Sequence, residues 1–187
     1  MDAQQLLQQR VSSPLLGDQP PTAEQLDNMF AAALRAPDHG ALRPWRFLTV
    51  AGADRTKLGE LFLKAGLSSD AQMSDLKQDK LRTMPLRAPL IIAVIACTRE
   101  HAKVPVIEQQ LSAGAAAQNL LLSAFSQGVG GIWRTGDMAY HPVVMQGMGL
   151  VDGEQIIGFI YLGSQPERLK SVPALDPADF VQTWPAG

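Results

Sequence analysis

Residues 90–97 read Leu90-Ile91-Ile92-Ala93-Val94-Ile95-Ala96-Cys97, a run with no charged side chain and no amide or hydroxyl group. A half-buried strand alternates apolar and polar residues, so a run that is apolar at every position belongs to a strand covered on both faces. Such a strand lies in the middle of a sheet with helices on either side. Gln155 to Leu162 (QIIGFIYL) has the same character and predicts a second buried strand. Between them lies the longest helical stretch, Val106 to Gln127, dense in Ala and Leu with few charges. A helix apolar around most of its circumference must be buried on most sides. One domain of this size is barely thick enough for that, so part of the helix is expected to meet a partner subunit.

Working outward, Arg46 to Ala51 predicts a strand rich in β-favouring residues, and Gly128 to Arg134 a glycine-rich turn into another. Asp2 to Gln9 predicts a short first helix. Thr22-Ala23-Glu24-Gln25 is a capping box, ahead of a helix whose inward face is Leu26, Met29, Phe30, Ala33 and Leu34, stopped by Pro37. Asp54 is expected to cap a helix with Leu58, Leu61, Phe62 and Ala65 inward. Met73 to Met84 predicts an exposed polar helix, and His141-Pro142 opens another, with proline at its favoured first position. From Gly163 onward, Pro166, Pro173, Pro177 and Pro185 exclude regular structure, while Leu175, Phe180, Val181 and Trp184 make the tail too apolar to stay in water. An extended arm lying over a neighbour is expected. There is no internal repeat, so residues 1–187 read as one domain with 164–187 as its arm.

Composition removes several classes of function. The chain has 187 residues, of which 46% are hydrophobic and 18% charged, enough to bury a core. A net charge of -2 gives no general basic field for nucleic acid or an anionic membrane. Cys97 is the only cysteine, which excludes an intrachain disulfide and a cysteine-built zinc cage. Met1 to Gln5 lacks the basic start of a signal peptide, and the apolar stretch Val106 to Phe125 is interrupted by Glu108, Gln109, Gln110, Gln118 and Asn119. A soluble, cytoplasmic protein is the expectation.

No Walker loop, G-x-S-x-G elbow or H-E-x-x-H helix is present. His39, His101 and His141 are scattered without Asp or Glu at ligand spacing, so no metal site is expected. Ser74-Asp75-Leu76-Lys77 fits S-x-x-K, but on a polar helix without companion motifs. Gly128-Val129-Gly130-Gly131 follows a helix and opens a strand, the reverse of a dinucleotide loop. Three other segments carry chemistry. Gln9-Arg10-Val11-Ser12-Ser13 sets a cation and hydroxyls at a helix end, suited to a phosphate. Arg35-Ala36-Pro37-Asp38-His39 through Arg43-Pro44-Trp45-Arg46-Phe47 concentrates donors in a proline-broken loop. Gly130-Gly131-Ile132-Trp133-Arg134-Thr135-Gly136 offers backbone amides beside an indole. Taken singly, each also reads as a capped helix end, a solvated loop and a tight turn.

In this order, with Glu108-Gln109-x-x-Ser112-Ala113-Gly114 between the second and third, the segments resemble the nitroreductase-like flavoprotein family, particularly its small bacterial members. The likeness runs from residue 1 to about 165. It implies an α+β nitroreductase-like fold, a mixed central sheet flanked by helices, in a homodimer with an extended C-terminal arm and FMN at the interface. It also implies that Arg10, Val11 and Ser12 hold the FMN phosphate and ribityl chain, that Arg35 and His39 reach the same flavin from the other subunit, and that Gly131, Ile132 and Trp133 form the loop over the isoalloxazine. Val11 departs from the family's common R-R-S-x-R, which has a second arginine there. The implied activity passes hydride from NADH or NADPH through flavin N5 to a nitroaromatic, quinone or similar acceptor, with no side-chain nucleophile. The alternatives are a non-catalytic flavin-binding or redox-sensing protein, and a serine hydrolase using Ser74 and Lys77.

Overall fold

The computed structural model describes residues 2–184. Its elements run α1 (Ala3–Gln9), α2 (Ala23–Ala33), β1 (Trp45–Ala51), α3 (Asp54–Ser69), α4 (Asp75–Thr83), β2 (Leu90–Cys97), α5 (Val106–Ser126), β3 (Val129–Arg134), α6 (Asp137–Tyr140), α7 (Pro142–Gly147) and β4 (Glu154–Ser164). The all-apolar strand is internal, as its sequence requires: the sheet order is β1-β2-β4-β3, and β2 is buried at every position but Cys97. Successive residues of β2 point to opposite faces. Ile92 and Val94 join Met29, Ala33, Ala117, Leu120 and Ile160 in a core under α2 and α5. Ile91, Ala93 and Ile95 join Phe62, Ala65, Phe159 and Tyr161 in a second core under α3, α6 and α7.

Where a mixed sheet was expected, all three pairings are antiparallel, with Phe47 opposite Val94, Ala93 opposite Phe159 and Ile132 opposite Tyr161. An apolar run reports that both faces are covered; strand direction is set by the connections, which the run does not encode. Two helix ends also differ from expectation. Asp54 is the first residue of α3 rather than its cap, and its carboxylate accepts from Lys57 Nζ at 2.8 Å. The α2 helix stops at Ala33, well before Pro37, whose ring disfavours helical backbone only at Ala36. That leaves Leu34, expected inside, exposed. The Thr22 capping box forms as read, with both Thr22 and Gln25 side chains closing on backbone amides.

The α5 helix buries Ala113, Ala116, Ala117, Leu120 and Ala124 against the sheet, yet Ile107 and Leu111 stay 57% and 65% exposed. Apart from a 3-10 turn at Pro177–Asp179, residues 165–184 lack regular structure, and Leu175, Phe180, Val181 and Trp184 face solvent.

Candidate functional site

The first and third segments meet along the open edge of β3. Arg10 closes α1, its amide donating to Leu6 O at 3.2 Å. The chain then turns so that buried Ser13 donates its N–H to the carbonyl of Gly131 at 3.0 Å. In an antiparallel strand, alternate residues direct both N–H and C=O to the same side. Gly131 and Trp133 therefore both face away from β4, and β3 is the last strand of the sheet. Ser13 takes the Gly131 carbonyl; the N–H and C=O of Trp133 remain on that edge without a backbone partner among the described residues. Val11 and Ser12, just before Ser13, are half-buried. Arg10 makes no ion pair among the described residues.

The glycines of this strand serve the chain's own packing. A Cβ at Gly130 would lie 2.7 Å from Leu16 Cδ2, and one at Gly131 3.0 Å from Leu121 Cδ2. The Trp133 indole is half-buried, donates Nε1–H to Ile157 O at 3.3 Å, and fills the space over Gly158.

The second segment is organised separately. Gly40, Ala41 and Arg43 have left-handed backbone, φ 76°, 51° and 50°, and Arg43 N–H donates to the Asp38 carboxylate at 2.6 Å, which pins the turn. His39 is exposed, and its Nδ1 lies 2.6 Å from Glu108 Oε2, in the first turn of α5. Gly114, where a Cβ would lie 3.9 Å from the Trp133 ring, is six residues further along that helix, roughly 9 Å along the axis. Arg35 is exposed and has no ion pair among the described residues. Arg46 leaves this group altogether: its Nε and Nη2 donate to both oxygens of Glu154 at 2.6 and 2.7 Å. The Arg46 guanidinium, ahead of smaller contributions from Val151 N–H and the Cys97 thiol, holds the Glu154 carboxyl down at about 2. Within one protomer no hydrogen bond among the described residues joins Arg35 or His39 to residues 10–13 or 130–134.

The sequence overlooked Glu108, Gln109 and Ser13, though all three stood inside quoted motifs. Gln109 is fully buried and holds Arg99 N, Arg99 O and Val104 O, so the E-Q pair at the head of α5 fixes the His39 ring and the entering loop. The other histidines are local caps: His101 Nδ1 accepts from Lys103 and Val104 amides, His141 Nδ1 from Val143 N. Among the described residues no cluster could hold a metal ion. Among the described residues Ser74 and Lys77 are joined only by the backbone bond of the first turn of α4, and no base there hydrogen-bonds the Ser74 hydroxyl. Arg10, without an ion pair among the described residues, beside the free edge groups of β3 forms a donor set that fits a phosphorylated, flat, hydrogen-bonding ring system such as FMN.

The model of the nitroreductase family matches residues 7–164. The chain is 40% identical to the protein named "Putative NAD(P)H nitroreductase YdjA" from Escherichia coli (strain K12) over 182 residues, 97% of this chain and 98% of that one. It is 36% identical over 183 residues to one from Haemophilus influenzae named "Putative NAD(P)H nitroreductase", with the same coverage. Among solved structures, a nitroreductase-like family protein from Bacillus cereus superposes with a TM-score of 0.84 at 20% identity, covering 100% of this chain and 97% of that one. The FMN-dependent nitroreductase NfnB from Mycobacterium smegmatis, solved in complex with NADPH, gives 0.75 at 17% identity, covering 97% of each. Both structural likenesses speak to the fold. No helix of the described residues is long and apolar enough to cross a membrane.

Proposed function

The chain belongs to the nitroreductase family, and from that premise we propose that it is an FMN-dependent oxidoreductase passing hydride from NADH or NADPH to a nitroaromatic, quinone or similar acceptor. The observation that carries this reading is the Ser13–Gly131 hydrogen bond, which lays the Arg10–Ser12 segment beside the free edge groups of Trp133. Arg10 and Ser12, with the Val11 backbone, hold the phosphate and ribityl chain, and the Gly131 N–H and the Trp133 backbone groups face the ring, while Ile132 between them turns its own backbone groups to β4 opposite Tyr161. Arg35 and His39, unlinked to that edge in their own protomer, serve the flavin of a second copy, with Glu108 holding the imidazole in place. The names of relatives and structural neighbours, NAD(P)H nitroreductases and an FMN-dependent enzyme with NADPH bound, support the choice of cofactors.

Bound FMN supplies the hydride relay between nicotinamide and acceptor. The chain's own residues bind and orient: a charge-assisted arginine–phosphate contact fixes one end of the flavin, and rigid amides on a strand edge fix the other without reorganisation. No side chain acts as nucleophile. The exposed Ile107 and Leu111 of α5 and the tail at 164–187 form the interface of a homodimer of single-domain chains, and the protein works in the cytoplasm with no nucleic acid or membrane partner.

The test is spectral. Purified protein is expected to carry flavin absorbance and to oxidise NAD(P)H with a nitroarene or menadione. Arg10→Ala is expected to lose the flavin on gel filtration; full retention would refute the phosphate assignment. A protein that keeps flavin but turns over neither acceptor is a binder, not an enzyme.

A further inference from the structure

Arg134, the last residue of β3, carries the single buried side-chain polar atom without a hydrogen-bond partner among the described residues, its Nε. Buried donors on a charged group are costly to leave unmatched, so such a group calls for a partner. Its guanidinium lies over the Tyr161 ring, 5.7 Å from the centroid. Tyr161 provides no negative charge there, since burial pushes its hydroxyl up to about 12 despite the nearby arginines. Beside Arg134 is a cavity of about 350 Å³ lined by Pro14, Leu15, Leu16, Arg87 and Arg134. Its lining includes no Asp or Glu, and neither arginine has an ion-pair partner among the described residues. Two unpaired guanidinium forks against leucine walls form a matched receptor for a carboxylate or phosphate attached to an apolar body.

The position of the cavity narrows the ligand. Side chains alternate along β3, so Ile132 and Arg134 lie on the α3 face with Tyr161, and the Trp133 indole lies on the α5 face. The cavity is thus across the strand from the indole and one residue from the free edge amide. Its Pro14–Leu16 wall continues the Arg10–Ser13 segment. We propose that the Arg87–Arg134 cavity is an oxyanion site distinct from the Arg10 phosphate position, and that it takes the carboxylate or phosphate of the molecule that exchanges hydride at the flavin. The identity of that molecule rests on the proposed function; the oxyanion site itself does not.

Calorimetric titration of the protein as purified, with inorganic phosphate, benzoate and neutral benzamide, tests the site. Phosphate and benzoate are expected to bind and benzamide not to. Arg134→Gln, and independently Arg87→Gln at an exposed position that the fold does not need, are expected to weaken the anions about tenfold or more. Steady-state kinetics then identify the source. A KM raised by Arg134→Gln for NADPH but not NADH assigns a nucleotide phosphate; one raised for 4-nitrobenzoate but not 4-nitrobenzamide assigns an acceptor carboxylate. Identical titrations in wild type and both variants overturn the proposal. So does release of FMN by Arg134→Gln or competition between phosphate and FMN, either of which gives the cavity to the flavin. A colourless protein whose titrations still separate wild type from the variants keeps the oxyanion site and removes only the flavin reading.

Discussion

Glu154 collects four donors: two nitrogens of Arg46, the Val151 amide at 3.1 Å and the Cys97 thiol at 3.3 Å. Its carboxyl titrates at about 2 instead of 4.5, so the folded state favours the charged form. For a lowered carboxyl the contribution to stability is complete above the unfolded value and fades as pH falls from about 4.5 towards 2. Glu154→Gln is therefore expected to lower the unfolding free energy by about 1–3 kcal/mol at pH 7, with the difference from wild type nearly gone near pH 2, as read by urea melts at both values. The same cluster silences Cys97. Burial first, and Glu154 second, push the thiol up to about 11, and only the thiolate is nucleophilic. Iodoacetamide should modify Cys97 slowly at pH 8, and the pH at which the rate rises should come down in Glu154→Gln. None of this was legible in the sequence. Arg46 stands among Arg35, His39 and Arg43 in the chain, and only the β1-β2-β4 register brings it to a carboxylate 108 residues away.

At the scale of elements the sequence is most legible where burial is extreme. The β2 and β4 runs, the α5 helix and the Thr22 capping box are local patterns, and each forms within a residue or two of its expected bounds. Strand direction is less legible because it depends on connections, and the α2 end because Pro37 limits the helix without fixing where it stops. The site is intermediate. Segments one and three could be named but not joined, since the Ser13–Gly131 bond exists only once β3 has become an edge. The glycine most exacting for that edge lies on β4: a Cβ at Gly158 would sit 2.0 Å from Trp133 Nε1. Gly158→Ala must displace the indole and break its bond to Ile157 O. Overpacking of this kind costs about 1–3 kcal/mol. A lowered Tm together with weakened flavin retention is expected; an unchanged Tm would mean that the indole moves freely and fixes nothing.

For the molecule as a whole, the distribution of apolar surface sets the expectation. Ile107 and Leu111 lie on the outer side of α5, flanking the Glu108 that holds His39, and six large apolar residues of the described tail are exposed, Trp184 at 91%. Isolated exposed leucines are ordinary, but an apolar helix stripe and an apolar tail both left in water are more than that, and exposed apolar surface on this scale marks an interaction site. In the proposed dimer a second copy covers both and, in the same step, carries Arg35 and His39 towards a flavin they do not meet in their own protomer. On that proposal assembly and cofactor binding are one equilibrium: whatever separates the subunits takes Arg35 and His39 from each flavin site. Leu111→Glu puts a charge in that stripe without touching the buried face of α5. It is expected to yield a monomer on analytical ultracentrifugation with unchanged helical circular dichroism and FMN affinity weakened roughly tenfold or more. Deleting residues 167–187 should loosen the dimer in the same direction through the other half of the patch. A wild-type chain that is monomeric yet retains FMN would break the link between the two equilibria and return Arg35 and His39 to the solvated surface.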